Sequence, residues 1–158
     1  LSNQKVLLTG KGKVEIDMNC TFGYKLGGFY KNGCIEIQPR YKDAVIKIGK
    51  NVCTNNNIFI CAANYIEIGN DTLIGQYVTI MDHEAHGIDP KRRKEIGTVG
   101  YVNIGSNVWI GNNVTILKNS IIGNNTIIAA GAIVSGIVPE NVIIGGVLAR
   151  TIKKISAE

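Results

Sequence analysis

Apolar side chains recur along this chain every six residues. Ile104, Ile110, Ile116, Ile122, Ile128 and Val134 keep step, after an earlier phase through Ile68, Ile74 and Ile80 and one before it through Ile48, Thr54 and Ile60. Glycine follows the aliphatic residue at Gly49, Gly69, Gly75, Gly105, Gly111 and Gly123, and asparagine stands three places after it at Asn51, Asn57, Asn107, Asn113, Asn119 and Asn125. An amphipathic helix repeats every three or four residues and a half-buried strand every two. A period of six fits a short strand followed by a tight corner. In Val102-Asn103-Ile104, Val108-Trp109-Ile110 and Val114-Thr115-Ile116 the flanking pair faces in and the middle residue faces out. Asparagine and glycine suit the corner because they tolerate positive φ. Three strands and three corners close a triangle, so the pattern predicts a solenoid in which each coil buries its apolar face by stacking on the next.

Residues 46–81 and 102–138 carry the regular coils, residues 1–45 read as irregular early coils, and residues 139–158 read as a C-terminal tail. In the early part Leu8, Val14 and Cys20 keep time until Gly27, Gly28, Phe29, Tyr30 and Gly33 break it. Between Ile66 and Ile68 the phase slips by two, which predicts one enlarged coil. The beat then stops, and a protruding loop is expected at 82–101. Long excursions from a regular scaffold tend to carry function, and this one holds both histidines, His83 and His86. An imidazole titrates near neutrality and can remove a proton from a hydroxyl as it attacks. Either histidine could equally hydrogen-bond a loop carboxylate, Asp82 or Glu84. The alternation also turns Trp109, Ile127, Ile121 and Ile133 outward, an apolar area that calls for cover by another copy of the chain.

Composition narrows the field. At 158 residues the chain fits a single domain, and its net charge of +5 favours anionic partners. The basic residues cluster only at Lys91–Lys94, without the interleaved aromatics of a nucleic-acid surface. Four cysteines with no CxxC pairing suggest a reduced, cytoplasmic protein. The uncharged stretch from Asn119 to Pro139 keeps its asparagines and glycines on the beat, so it is not read as a membrane span. Two histidines three apart fit a three-histidine zinc site poorly, and no metal is expected. Thr79, Thr115 and Thr126 form no regular rank, which argues against an ice-binding or purely structural solenoid.

Three pieces of text are more specific: His86-Gly87-Ile88-Asp89-Pro90 with Arg92 and Arg93 following, Trp109-Ile110-Gly111, and Gly145-Gly146-Val147-Leu148-Ala149-Arg150. With the six-residue repeat they resemble the hexapeptide-repeat acyltransferases, above all the maltose and galactoside O-acetyltransferases and the O-acetyltransferases of polysaccharide biosynthesis. The resemblance implies a left-handed parallel β-helix, a homotrimer with active sites between subunits, and acetyl-CoA as donor. It makes His86 the catalytic base and assigns the oxyanion contact to the backbone N–H of Asn112. It puts Asn55 in the acceptor site, with His83 as a further acceptor contact, and Trp109, Asn112, Ala130, Ser135, Arg150 and Lys153 along the coenzyme. Leu148 replaces the proline of that pattern, Gly136 replaces a lysine, and Ala63 falls where an acceptor-binding aspartate is expected. The function implied is acetyl transfer to a saccharide hydroxyl in surface-polysaccharide biosynthesis. The alternatives are N-acetylation of an amino-sugar nucleotide and a non-catalytic solenoid.

Overall fold

Short strands that cannot bury a face alone are stacked here into three parallel sheets that enclose one column of side chains. The structure is a computed structural model and describes residues 1–155. Face one stacks β1 (Val6–Leu8), β3 (Ile35–Pro39), β6 (Phe59–Ala62), β9 (Thr79–Met81), β12 (Thr115–Ile116) and β15 (Ile133–Val134). Face two stacks β2 (Lys13–Ile16), β4 (Val45–Ile48), β7 (Tyr65–Ile68), β10 (Tyr101–Ile104), β13 (Ser120–Ile122) and β16 (Ile137–Val138). Face three stacks β5 (Cys53–Thr54), β8 (Leu73–Ile74), β11 (Trp109–Ile110), β14 (Ile127–Ile128) and β17 (Val142–Gly145), with β18 (Arg150–Lys154) added antiparallel at its end. The chain visits faces one, two and three in turn, which is the left-handed parallel β-helix expected.

The six-residue beat is the core. Ile104, Ile110, Ile116, Ile122, Ile128 and Val134 are all buried, each above its counterpart in the neighbouring coil. The corners behave as their chemistry requires: Asn51, Asn57, Asn107, Asn113, Asn119, Asn125 and Asn141 all adopt φ between 55° and 61°. Along the edge between faces two and three, Asn107 donates to Asn125 and Asn125 to Asn141, each at 2.9 Å. Gly69 is needed for a different reason. A Cβ there would lie 2.5 Å from the Gly105 carbonyl carbon, so the coils could not approach.

The predicted slip is visible in the register. Ile48 pairs with Ile68, twenty residues on, whereas Ile104 pairs with Ile122 after eighteen. The two extra residues widen the corner between β6 and β7, directly beneath the loop. The segment expected as a tail carries more order than the pattern disclosed, since β17 completes a sixth coil and β18 pairs back on it. The outward apolar residues also sort by face. Leu73, Trp109, Ile127 and Ile143 form one continuous ladder on face three, while Ile121 and Ile133 lie on faces two and one.

Ile110 sits at the centre of the column with no exposed surface. Ile110→Ala is expected to cost about 2–5 kcal/mol, the range for a buried Ile-to-Ala cavity, measured as a lower urea midpoint with the fold retained.

Candidate active site

The interrupting loop leaves the solenoid at the edge between faces one and two and returns to it at β10. Its base is a buried polar cluster. The Asp82 carboxylate, fully enclosed, accepts the backbone N–H groups of Ala63 at 2.7 Å and of Asn64 and Tyr65 at 2.8 Å each. These are the donors freed by the widened corner, so the carboxylate satisfies groups that the regular coil would have paired otherwise. The same carboxylate receives the Nδ1–H of His83 at 2.8 Å. On the far side of that ring, Nε2 lies 3.0 Å from Arg40 Nη1. A guanidinium can only donate and a carboxylate here can only accept, so the partners fix a neutral His83 with both nitrogens engaged. Its side chain has no exposed surface. The structure places His83, expected to touch the acceptor, at the base of the loop and at the margin of the groove described below.

Above this base the loop runs as a two-sided arm. His83 bridges Val99, Glu84 N–H donates to Thr98 O at 3.0 Å, and Gly87 N–H donates to Glu95 O at 2.8 Å. Glu84 ties the arm down by accepting the Thr98 N–H at 3.1 Å and pairing with Lys118 at 3.3 Å. The tip turns through a short 3-10 segment, Pro90–Arg92, capped by the Asp89 side chain. Gly87 packs where a Cβ would come within 2.5 Å of the Arg92 carbonyl oxygen, so the residue after His86 has to be glycine for the tip to fold back.

His86 is the opposite of His83. It is exposed, and its Nδ1 lies 3.0 Å from the carbonyl oxygen of Arg93. A carbonyl only accepts, so Nδ1 carries a proton, and Nε2 is the nitrogen placed to act as the base in the neutral ring. That is the tautomer and orientation a general base requires.

The remaining residues anticipated for the site divide between two edges of the prism. Ser135 shares the loop's edge, lining with His83, Glu84, Leu117, Lys118 and Asn119 a groove of about 270 Å³. Asn55, Asn112 and Ala130 lie on another edge, between faces three and one, where Gly131 N–H donates to Asn112 O and the Asn112 side chain accepts Gln76 N–H at 3.0 Å. Trp109 is exposed on face three beside that edge. Arg150 and Lys153 are exposed on β18, in register with Gly145 and Ile143. A single chain therefore does not bring His86 to Asn112. Arg40 and Lys118 were not singled out by the sequence. Arg40 acts across 43 residues of chain, and the signal for it lies in the register: Pro39 pairs with Ala62 and Cys61 with Met81, which stacks Arg40, Ala63 and His83. The small side chain of Ala63 leaves the gap that Arg40 crosses.

Residues 101–136 match the model of the family described as bacterial transferase hexapeptide (six repeats). The chain is 39% identical over 124 residues to WbbJ of Escherichia coli K12, a protein named for lipopolysaccharide biosynthesis O-acetyl transfer, covering 72% of this chain and 63% of that one. It is 38% identical over 134 residues to the Saccharomyces cerevisiae protein YJL218W, named as an acetyltransferase, covering 83% and 67%. Among solved structures, a galactoside acetyltransferase in complex with coenzyme A superposes with a TM-score of 0.66 at 29% identity, over 96% of this chain and 65% of that chain. The polySia-specific acetyltransferase NeuO superposes with a TM-score of 0.75 at 27% identity, over 99% and 64%. The chain belongs to the bacterial hexapeptide-repeat transferase family. It spans a little under two thirds of the length of WbbJ.

Two measurements check the loop's anchorage. Asp82→Ala leaves three backbone donors and His83 unpaired, and is expected to lower stability in urea unfolding by at least about 1–3 kcal/mol, the cost of a single buried polar group left without its partner. The Glu84 carboxyl is held below its ordinary value of 4.5, first by the Thr98 side chain and N–H and then by Lys118. A depressed carboxylate pKa means that the contact is complete above the ordinary value and is lost as pH falls through the lower, folded-state pKa. The Thr98 amide resonance should therefore titrate below pH 4.5, and Glu84→Gln should abolish that titration.

Proposed function

We propose that this chain is an acetyl-CoA-dependent O-acetyltransferase that acts on a saccharide hydroxyl, with His86 as general base. The observation that carries the reading is the His86 ring, anchored through Nδ1 on the Arg93 carbonyl with Nε2 free. The family supports the donor, because a relative of this fold is a galactoside acetyltransferase complexed with coenzyme A. Names of relatives point to glycans: lipopolysaccharide for one and polySia for another. On that basis the acceptor belongs to surface-polysaccharide biosynthesis. Four free cysteines fit a cytoplasmic enzyme, and among the described residues no helix is long and apolar enough to cross a membrane.

In this mechanism His86 Nε2 takes the proton from a sugar hydroxyl as its oxygen attacks the thioester carbonyl. The negative charge that develops on the carbonyl oxygen meets the Asn112 N–H, a preorganised donor that needs no reorganisation. The intermediate collapses with cleavage of the carbon–sulfur bond, and the coenzyme thiolate recovers the proton from the imidazolium. Asn55 holds the acceptor, Trp109, Ala130 and Ser135 border the coenzyme's arm, and Arg150 and Lys153 meet its phosphates. His83 serves as a positioning residue, because Asp82 and Arg40 occupy both its nitrogens. Since the His86 and Asn112 edges are separate within one chain, the working unit is a homotrimer in which each loop faces the Asn112 edge of a neighbour. The ladder of Leu73, Trp109, Ile127 and Ile143 offers the apolar surface for that contact.

His86→Ala should bind acetyl-CoA as the parent does, keep its assembly state, and lose about a hundred- to ten-thousand-fold in acetyl transfer, the usual worth of a general base. Free-thiol release with a panel of sugars and acetyl-CoA reads this directly. Transfer retained in His86→Ala moves the reaction to an acceptor that needs no base, such as an already neutral amine.

A further inference from the structure

Two corners of the solenoid break its own rule. At the regular corner positions the residue with positive φ is asparagine, aspartate or glycine, apart from Tyr77, which adopts φ 56° between Asn57 and Asn113 along one edge. A bulky residue in that region is strained where asparagine is not. Phe29, in the segment that interrupts the early coils, also adopts a positive φ of 59°. These two residues meet: their rings pack edge to face with centroids 5.2 Å apart. Strain retained at a place where the fold's usual residue would serve is a mark of function.

The pair is also held rigid without being covered. Asn56, fully buried, donates to Tyr24 O at 3.0 Å and Gly28 O at 2.9 Å and accepts the Tyr24 N–H. Gln4, equally enclosed, donates to Phe29 O and Tyr30 O and accepts the Asn57 N–H. Buried amides thus fix the backbone of the segment, yet Phe29 keeps 57% of its surface exposed and Tyr77 keeps 39%. Beside them lies a hollow of about 430 Å³ lined by Asn32, Glu36, Asn57, Phe59 and Tyr77 among others. It combines aromatic surface with amide and carboxylate groups at the rim, the composition that suits a pyranose: apolar C–H face on the rings, hydroxyls to the polar side chains. Glu36 in the lining disfavours a sugar that carries its own carboxylate.

We propose that the Phe29–Tyr77 pair and this hollow form a subsite for one neutral pyranose unit of a glycan, distinct from the unit whose hydroxyl is acetylated. The proposal deepens the saccharide reading above and rests on it for the identity of the glycan as acceptor. The subsite lies on the same edge as Asn55 and Asn112: Asn57, two residues past Asn55, lines the hollow, and Tyr77 stands one coil below Asn113, so neighbouring units of an oligosaccharide on this edge would occupy the subsite and the reacting centre. A monosaccharide held at the reacting centre would leave the subsite empty.

The test is binding of the full chain, without acetyl-CoA, to an array of immobilised neutral and sialylated oligosaccharides, beside the variant Tyr77→Asn. Asparagine is the fold's own residue for this corner, so Tyr77→Asn is expected to keep the parent's assembly state and to melt no lower than the parent. The parent should bind neutral oligosaccharides, and Tyr77→Asn should bind them at least tenfold more weakly. Phe29→Gly, which also relieves a positive φ, should behave the same way. Coenzyme A affinity and transfer to a monosaccharide should be unchanged in both. The proposal is overturned if the parent binds no neutral oligosaccharide or if both variants bind like the parent. It is equally overturned if Tyr77→Asn melts lower or loses its assembly, because the pair is then a packing or subunit contact. Failure of the acetyltransferase reading would appear separately, as absent coenzyme A binding with array binding intact.

Discussion

A strand of two residues cannot hold itself. In this protein each is held by N–H···O=C bonds to the strands one coil above and one coil below, as Trp109 and Ile110 are held between Leu73–Ile74 and Ile127–Ile128. That parallel ladder fixes the separation of successive coils, and the separation dictates nearly everything else. It leaves no room for a Cβ at Gly69, favours a left-handed residue at the regular corners, and sets Ile over Ile over Val down the axis. Stability is then a sum of neighbouring contacts, as in other solenoids. A coil may be interrupted at a corner without loss so long as its three strands stay in register. The loop from Asp82 to Gly100 uses that tolerance: Ile68 pairs with Ile104 across 36 residues as directly as Ile104 pairs with Ile122 across eighteen.

The interruption has to be stitched into the scaffold, and Asp82 does so. The widened corner at Ala63 and Asn64 points three N–H groups inward, and the first residue of the loop brings a carboxylate to them. His83 and Arg40 then carry the contact on to the coil beneath. The result is two histidines three residues apart in contrasting surroundings. One is neutral, enclosed and hydrogen-bonded through both nitrogens. The other stands on the arm with one nitrogen anchored and the other free. Gly87 lets the arm close behind it.

From Ile48 onward the core and corners were legible in the sequence because period and chemistry agree there: every six-residue aliphatic is buried and the asparagines three places on take positive φ, whereas Leu8 and Val14, on the beat in the early coils, are exposed and half-buried. The slip near Ile68 was legible too, as an odd spacing. Other features required registers that no local window contains. Nothing near Arg40 marks it as the partner of a histidine in a coil two levels up. The tail concealed β17 and β18 because Gly145-Gly146 interrupts the beat and an antiparallel return has no six-residue signature. The motif near His86 identified the exposed histidine, but only the hydrogen-bond partners separate its role from that of His83. Tyr77 sat in an asparagine position in plain text, and its meaning depends on Phe29, which the early coils bring beside it.

The central claim is that the reacting centre is shared between copies, because His86 stands on one edge of the prism while Asn112 and Arg150 belong to another. Mixed assemblies test this most directly. His86→Ala and Arg150→Ala chains, each inactive or weakened alone at low acetyl-CoA, are co-expressed and the mixed trimers purified. If each centre takes its base from one chain and its phosphate contact from the next, the purified mixed trimers show about a third of the parental activity, since in either mixed ring one centre of the three receives both intact residues. If mixed assemblies are no more active than the average of the two variants, both residues serve one chain's own centre, and the account is contradicted.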